Sequence, residues 1–310
     1  MENYPAKVYR RSLLLFLRNR AGAEGVSPAM IICREKGTGA FVPMGELWRH
    51  RGLLWQFALR GAEARHRGSR LGILWQVLSP LLMLALYGFT FGVLLHGKFG
   101  VIPGETSADY ALGIFLGFTL YGLVADTMGS APGAVADNAN LVKKVLFPLE
   151  VLPAAMTVSM LSPFLVSLGL FAIGFVLFGQ AVTVQVLWLP LVLLPLFLLS
   201  LGLAWLVSAL GVYFRDVRSA MNFLTTALFY VSGIFFSASS AGAGTKARVA
   251  LEVLRWNPVF VGIDLARDVT LWGRAPGLRD MLYLYGTSVV VMLVGYFVFR
   301  RLRGGFADVL

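Results

Sequence analysis

A single cysteine, Cys33, permits no intrachain disulfide and leaves the redox compartment open. The three histidines, His50, His66 and His96, are scattered and make no metal-ligand spacing. No glycine-rich loop ending in Gly-Lys-Ser or Gly-Lys-Thr occurs, so the chain has no P-loop with which to bind ATP. A Ser-His-Asp arrangement fails for want of a third partner in one compartment. Charge is scarce as well: Asp, Glu, Lys and Arg make up 14% of the residues, and Asp126 alone falls inside a long apolar run. An intramembrane enzyme or ion-coupled carrier holds ionisable groups within its spans, because burying them is costly and is tolerated for function. One carboxylate is a poor proton relay, and Asp126 reads as a capping or packing residue near the interface. The apolar stretch from Leu13 to Leu17 is shorter than a secretory h-region and no small-residue cleavage site follows it, so no cleaved signal is expected.

What the chain has in abundance is apolar surface. It is 57% hydrophobic with a mean hydropathy of +0.74, far more than one soluble core needs. Crossing about 30 Å of hydrocarbon takes about 20 apolar residues as a helix. Six runs qualify, at 72–95, 110–130, 151–178, 186–212, 219–240 and 281–299. The expected fold is therefore an all-α membrane bundle of six spans. With the N-terminus placed inside, 20 of the 27 Lys and Arg lie on inner segments, which puts both termini in the cytosol by the positive-inside rule. The net charge of +11 thus follows membrane topology and does not form a nucleic-acid-binding domain.

Residues 1–44 lack sustained periodicity and are expected to be a poorly ordered extension. From 45 to 67 an apolar stripe with Trp48 and Trp55 beside it, and Arg60 and Arg65 mostly elsewhere, predicts a basic amphipathic helix in the inner interface or packed on the bundle. On the first span Gln76, Met83, Tyr87 and Phe91 share one face; on the fifth, Asn222, Thr226, Phe229 and Phe236 recur on another. Both faces are more polar and aromatic than lipid requires, so they either line a common conduit or pack between helices. Gly88 with Gly92, and Gly113 with Gly117, suit close helix approach. The segment 137–148, DNANLVKKVLFP, is too polar for lipid. Asp137 or Asn138 can cap a short helix there, with Leu141, Val142 and Val145 at helical spacing, Lys143 and Lys144 at its tip, and Phe147-Pro148 ending it. It reads as a furnished docking turn or as a topogenic loop. Arg215 and Asp216 sit in a second, tight inner turn. Between 241 and 280 lies the substantial outer segment, with a short helix at 246–255, a break at Trp256-Asn257-Pro258 and an amphipathic piece after it. Residues 304–310 are left as a cytosolic tail.

Taken together, ARHRGSRLGILWQVLSPLLMLALYGFTFGVLL, NANLVKKVLFPLEVLP, YFRDVR and WNPV resemble the membrane subunit of ABC-2 type polysaccharide exporters, the O-antigen, capsule and teichoic acid permeases. The resemblance covers about residues 46–303, in the family's order. It implies a type V ABC exporter: a homodimer of six-span subunits in the bacterial cytoplasmic membrane, each on a separately encoded ATPase. ATP and Mg then belong to that partner, and this chain holds no cofactor. By the same resemblance, 137–148 with Arg215 and Asp216 is the coupling site, about 46–67 the interface helix and about 241–275 the outer gate. The substrate implied is a lipid-linked polysaccharide. An exporter of a small lipid or drug shares these loops and is the alternative. A glycosyl- or acyltransferase is the third reading, but Glu252, Asp264, Asp268 and Asp280 are spread among basic residues as on a solvated surface.

Overall fold

The computed structural model describes residues 43–65, 72, 74–94, 96–142, 147–180, 182–238 and 251–310. The extension before Pro43, Cys33 and the lysines at 143 and 144 lie outside the described residues. Among the described residues the structure is helical, without strands.

The chain enters through α1 (Pro43–Arg49) and α2 (Arg51–Ala64), so residues 43–44 belong to a helix and not to the extension. Leu47 and Ala58 are buried against the bundle while Trp48 and Trp55 stay exposed. Helix α3 (Leu74–Tyr87) continues as a π-helical turn from Gly88 to Leu94. Its apolar side chains are largely uncovered by the rest of the chain.

Helix α4 (Ser107–Ser130) occupies the middle. Its start is fixed by a capping box: the Thr106 backbone N–H donates to Asp109 Oδ2 (2.8 Å), and the Asp109 N–H donates to Thr106 Oγ1 (3.2 Å). A helix apolar on every side must be covered on every side. Helices α3, α7, α8, α9 and α10 accordingly pack around it. Short helices α5 (Gly133–Ala136) and α6 (Ala139–Val142) lead to α7 (Val151–Leu177), which stays one helix past Pro163.

A 3₁₀ turn at Val184–Trp188 opens α8 (Leu189–Tyr213), and α9 (Val217–Val231) follows. Beyond residues 239–250, α10 (Pro258–Thr270) and α11 (Leu278–Leu302) complete the bundle. The expected tail folds back as a 3₁₀ turn (Arg303–Gly305) and helix α12 (Phe306–Val309), with Phe306 fully buried.

Five helices among the described residues are long and apolar enough to cross a membrane. The sixth expected run, 219–240, is not one helix. Helix α9 stops at Val231, and Gly233 follows with φ +72°, a conformation in which an added Cβ would also strike the Phe260 ring. Phe236 therefore lies beyond the helix and off the face of Phe229.

Candidate functional site

The aromatic residues expected on two separate helix faces meet. Tyr87 of α3 lies 6.5 Å from Phe229 of α9 and 6.1 Å from Phe91, measured between ring centroids. Helix α4 contributes Phe118, 5.8 Å from Tyr87, and Tyr121, 5.5 Å from Phe229. The Tyr121 hydroxyl donates to the Thr225 carbonyl at 2.8 Å, tying α4 to α9. Phe235, just past the end of α9, closes this tract: its ring is 4.6 Å from Phe91 and 5.4 Å from Phe229. Phe236 points elsewhere and packs on Phe260 of α10 at 6.0 Å.

Below the tract, toward α5 and the C-terminus, two cavities of about 470 and 600 Å³ open side by side, both bordered by Arg65, Phe118, Gly122 and Asp126. The first also takes in Gln76 and Met83, and the second Asn222. Gln76 is buried and donates to Ser162 Oγ of α7 at 2.7 Å. Thr226 spends its hydroxyl on the Asn222 carbonyl within α9. Arg65, at the end of α2, donates to Met160 Sδ at 2.6 Å and to Ser159 Oγ at 3.4 Å. Burial lowers its pKa, with the Asp126 carboxylate opposing, and an arginine stays cationic under those conditions. Asp126 thus faces the cavities near a cation. These volumes suit a head group or a few sugars, not a folded polymer.

At the basic end Val142 is buried in one cluster with Leu47 of α1 and Phe306 of α12. Phe147 meets Phe57 of α2 edge-on at 5.6 Å, so the turn leans on the amphipathic helix. Asn138 does not cap α6; its side chain donates back to the Ala134 carbonyl at 3.0 Å. Asp137 pairs with Arg218 at 3.4 Å, both exposed, and that contact joins the two inner turns. Leu141 and Pro148 are partly covered, Arg215 and Asp216 are exposed, and the segment of Lys143, Lys144 and Val145 lies outside the described residues. Sequence reasoning missed the anchors behind this end: Glu150 is buried against Arg303, its carbonyl accepts from Trp205 Nε1 (3.0 Å), and Glu46 accepts from the Tyr296 hydroxyl at 2.5 Å. Arg60 stacks near Phe57 at 5.9 Å.

At the far end Asn257 caps α10, its Oδ1 accepting from the Val259 N–H at 3.0 Å, and Pro258 takes the first turn, where no N–H is needed. Trp256 is exposed, and its carbonyl accepts from the Tyr283 hydroxyl at 2.5 Å. Among the described residues no three His, Cys, Asp or Glu come close enough to hold a metal ion.

A helical, multi-pass membrane protein with an aromatic tract over two cavities lined in part by polar residues, and loops braced at one end, is the class these features define. The chain belongs to the ABC-2 type transporter family, which residues 53–271 match. It is 28% identical over 263 residues to the O-antigen export system permease protein RfbA of Myxococcus xanthus, covering 85% of this chain and 97% of that one. It is 23% identical over 249 residues to an O-antigen export system permease protein RfbA of Klebsiella pneumoniae, covering 80% and 91%. The polysialic acid transport protein KpsM of Escherichia coli is 24% identical over 245 residues, covering 78% and 90%.

Proposed function

We propose that this chain is the membrane-spanning permease subunit of an ATP-driven exporter that moves a lipid-linked polysaccharide across the bacterial cytoplasmic membrane. The observation that supports it most is the meeting of Tyr87, Phe91, Phe118, Tyr121 and Phe229 from three helices above two adjoining cavities that share Asp126, one of them lined by Gln76 and the other by Asn222. Sugars present apolar C–H faces and many hydroxyls. Aromatic faces and neutral polar groups give them stacking and replaceable hydrogen bonds without tight capture.

The uncovered apolar surface of α3 and α9 is where a second copy would complete the conduit. The end bearing 137–148, Arg215, Asp216 and both termini faces the cytosol and meets a separate ATPase, which supplies ATP and Mg. Helices α1 and α2 lie along the inner interface, and about 241–275 forms the outer gate. A second reading, export of a small lipid or drug, draws on the modest cavity volumes.

Deleting the gene separates the two. Loss of surface glycan with lipid-linked glycan retained inside is the expected result, restored by the wild-type chain. Unchanged surface glycan with lost efflux of a small amphiphile selects the second reading.

A further inference from the structure

Arg267 of α10 is completely buried. Its guanidinium donates to four carbonyl oxygens. Nε reaches Gly113 of α4 at 3.0 Å, Nη1 reaches Gly233 at 2.7 Å and Phe236 at 3.2 Å, and Nη2 reaches Ile234 at 2.6 Å. Its carbon lies 4.3 Å from the Phe99 ring centroid, a cation–π contact on the remaining face. The room comes from the glycine pair of α4: a Cβ on Gly117 would stand 2.7 Å from Nη2, and one on Gly113 would stand 2.5 Å from the Phe99 ring. That pair thus admits side chains, where close helix approach was expected.

Three of those acceptors belong to the stretch after α9 breaks. The Phe235 carbonyl between them accepts from the Tyr110 hydroxyl of α4 at 3.0 Å, and the Val231 carbonyl accepts from Asn257 Nδ2 at 3.1 Å. Carbonyls freed by a helix end inside a membrane need such partners, and a cation suits the negative end of the helix dipole. Separate neutral donors would meet that need. One planar fork from α10 instead holds the stretch at three points and grips α4 with its fourth bond. The side chain that this stretch turns toward α3 is Phe235, stacked 4.6 Å from Phe91 and 5.9 Å from Tyr87.

We propose that Arg267 and Tyr110 are positioning residues that form a clasp seating Phe235 as the outer closure of the aromatic tract, so that movement of α10 away from α4 unseats Phe235 and opens the exit to glycan. This rests on the exporter reading. Lysine at 267 keeps the charge but is a point donor on a flexible stem, unable to hold three carbonyls in one plane.

The test uses the full chain in membranes, in a Cys33→Ser background, with two cysteine pairs: Phe91→Cys with Phe235→Cys at the tract, and Gln76→Cys with Ser162→Cys as the inner control. Arg267→Lys should lower cross-linking of the tract pair about tenfold, the order expected for losing a buried charge-assisted hydrogen bond, and leave the control pair unchanged. Arg267→Lys without added cysteines should lose surface glycan at normal chain abundance. If Arg267→Lys fails to accumulate, or loses the control cross-link too, Tyr110→Phe decides, since it removes one hydroxyl and should still loosen the tract pair selectively. Unchanged tract cross-linking in whichever variant folds overturns the clasp. Normal export by an Arg267→Lys chain whose tract pair no longer cross-links overturns its role in the exit while the exporter reading stands. Surface glycan that persists after gene deletion defeats the exporter reading without altering the cross-linking result.

Discussion

Among the described residues few charges are buried, and their surroundings decide what each does. Asp268, near the end of α10, is pushed up to about 7 by burial and by the Asp264 and Asp280 carboxylates, against the pull of Arg274. A carboxyl with its folded pKa raised holds its proton more tightly in the folded chain. The stability this confers is complete below about pH 4 and is lost as pH rises through about 7. Asp268→Asn should therefore flatten the fall in apparent Tm of the detergent-solubilised chain between pH 4 and 8, and should unfold later than wild type at pH 8. Parallel curves for the two proteins would remove Asp268 from the account. Such residues were only half legible. In α10 the buried positions Val259, Phe260, Ile263, Ala266 and Thr270 recur at helical spacing, and Arg267 falls among them, a signal that was in the sequence and went unused. Its four carbonyl partners had no signal, because backbone acceptors carry no residue identity.

The elements were legible where periodicity and length spoke alone, and less so where two helices or a turn set the outcome. Helices α3, α4, α7, α8 and α11 fall on the expected apolar runs, with α4, α8 and α11 overrunning them by one to three residues, because about 20 such residues have few other stable states in lipid. The end of α9 was missed because Ser232, Gly233, Ile234 and Phe235 continue the apolar composition while abandoning the helix. Missed as well was the most extensive helix contact among the described residues, α8 with α11. A Cβ on Gly202 would lie 2.5 Å from Met292 Cα, and Gly295 faces the Gly202 backbone in return. These glycines are 93 positions apart, so no short spacing announces them. Gly202→Val must push two backbones apart, and overpacking of this kind costs about 1–3 kcal/mol or more. Gly286→Ala, where an added Cβ meets nothing within 4 Å, should instead be neutral or stabilise by about 0.5–1 kcal/mol through helix propensity. Thermal unfolding in one detergent checks both, and equal Tm values would show that the α8–α11 crossing tolerates separation.

At the scale of the whole molecule the two ends must communicate, and the described contacts suggest how. Phe147 rests on Phe57 of α2, α2 packs along α7, and Arg65 at the end of α2 borders both cavities beneath the aromatic tract. A push on the basic turn by an ATPase would reach the cavity floor through α2. If 141–147 enters an apolar groove on that partner, Val145→Asp places an unpaired carboxylate there at a cost of several kcal/mol, and the ATPase should no longer co-purify. Retained complex formation and export would leave the turn merely topological. The tract itself calls for a different outcome. Tyr87 touches Phe91, Phe118, Phe229 and Phe235, and Phe229 touches Tyr121 besides. Both are only half-buried, so truncation removes a stacking surface without opening a fully enclosed void. Tyr87→Ala or Phe229→Ala should then cut glycan export by about tenfold, as the loss of one or two stacking contacts of about 0.5–1.5 kcal/mol each would give. Assembly with the ATPase and its basal hydrolysis should persist, because neither residue belongs to the basic turn or to the turn of Arg215. Cysteine at 87 or 229 in the Cys33→Ser background should react with a small water-soluble thiol reagent during turnover, and cysteine at 86 or 228 should not. Leu86 is largely exposed on the uncovered side of α3, which lipid or a second copy would shield, so reagent reaching 86 as readily as 87 would mean that the aromatic cluster is packing between helices and the glycan passes elsewhere.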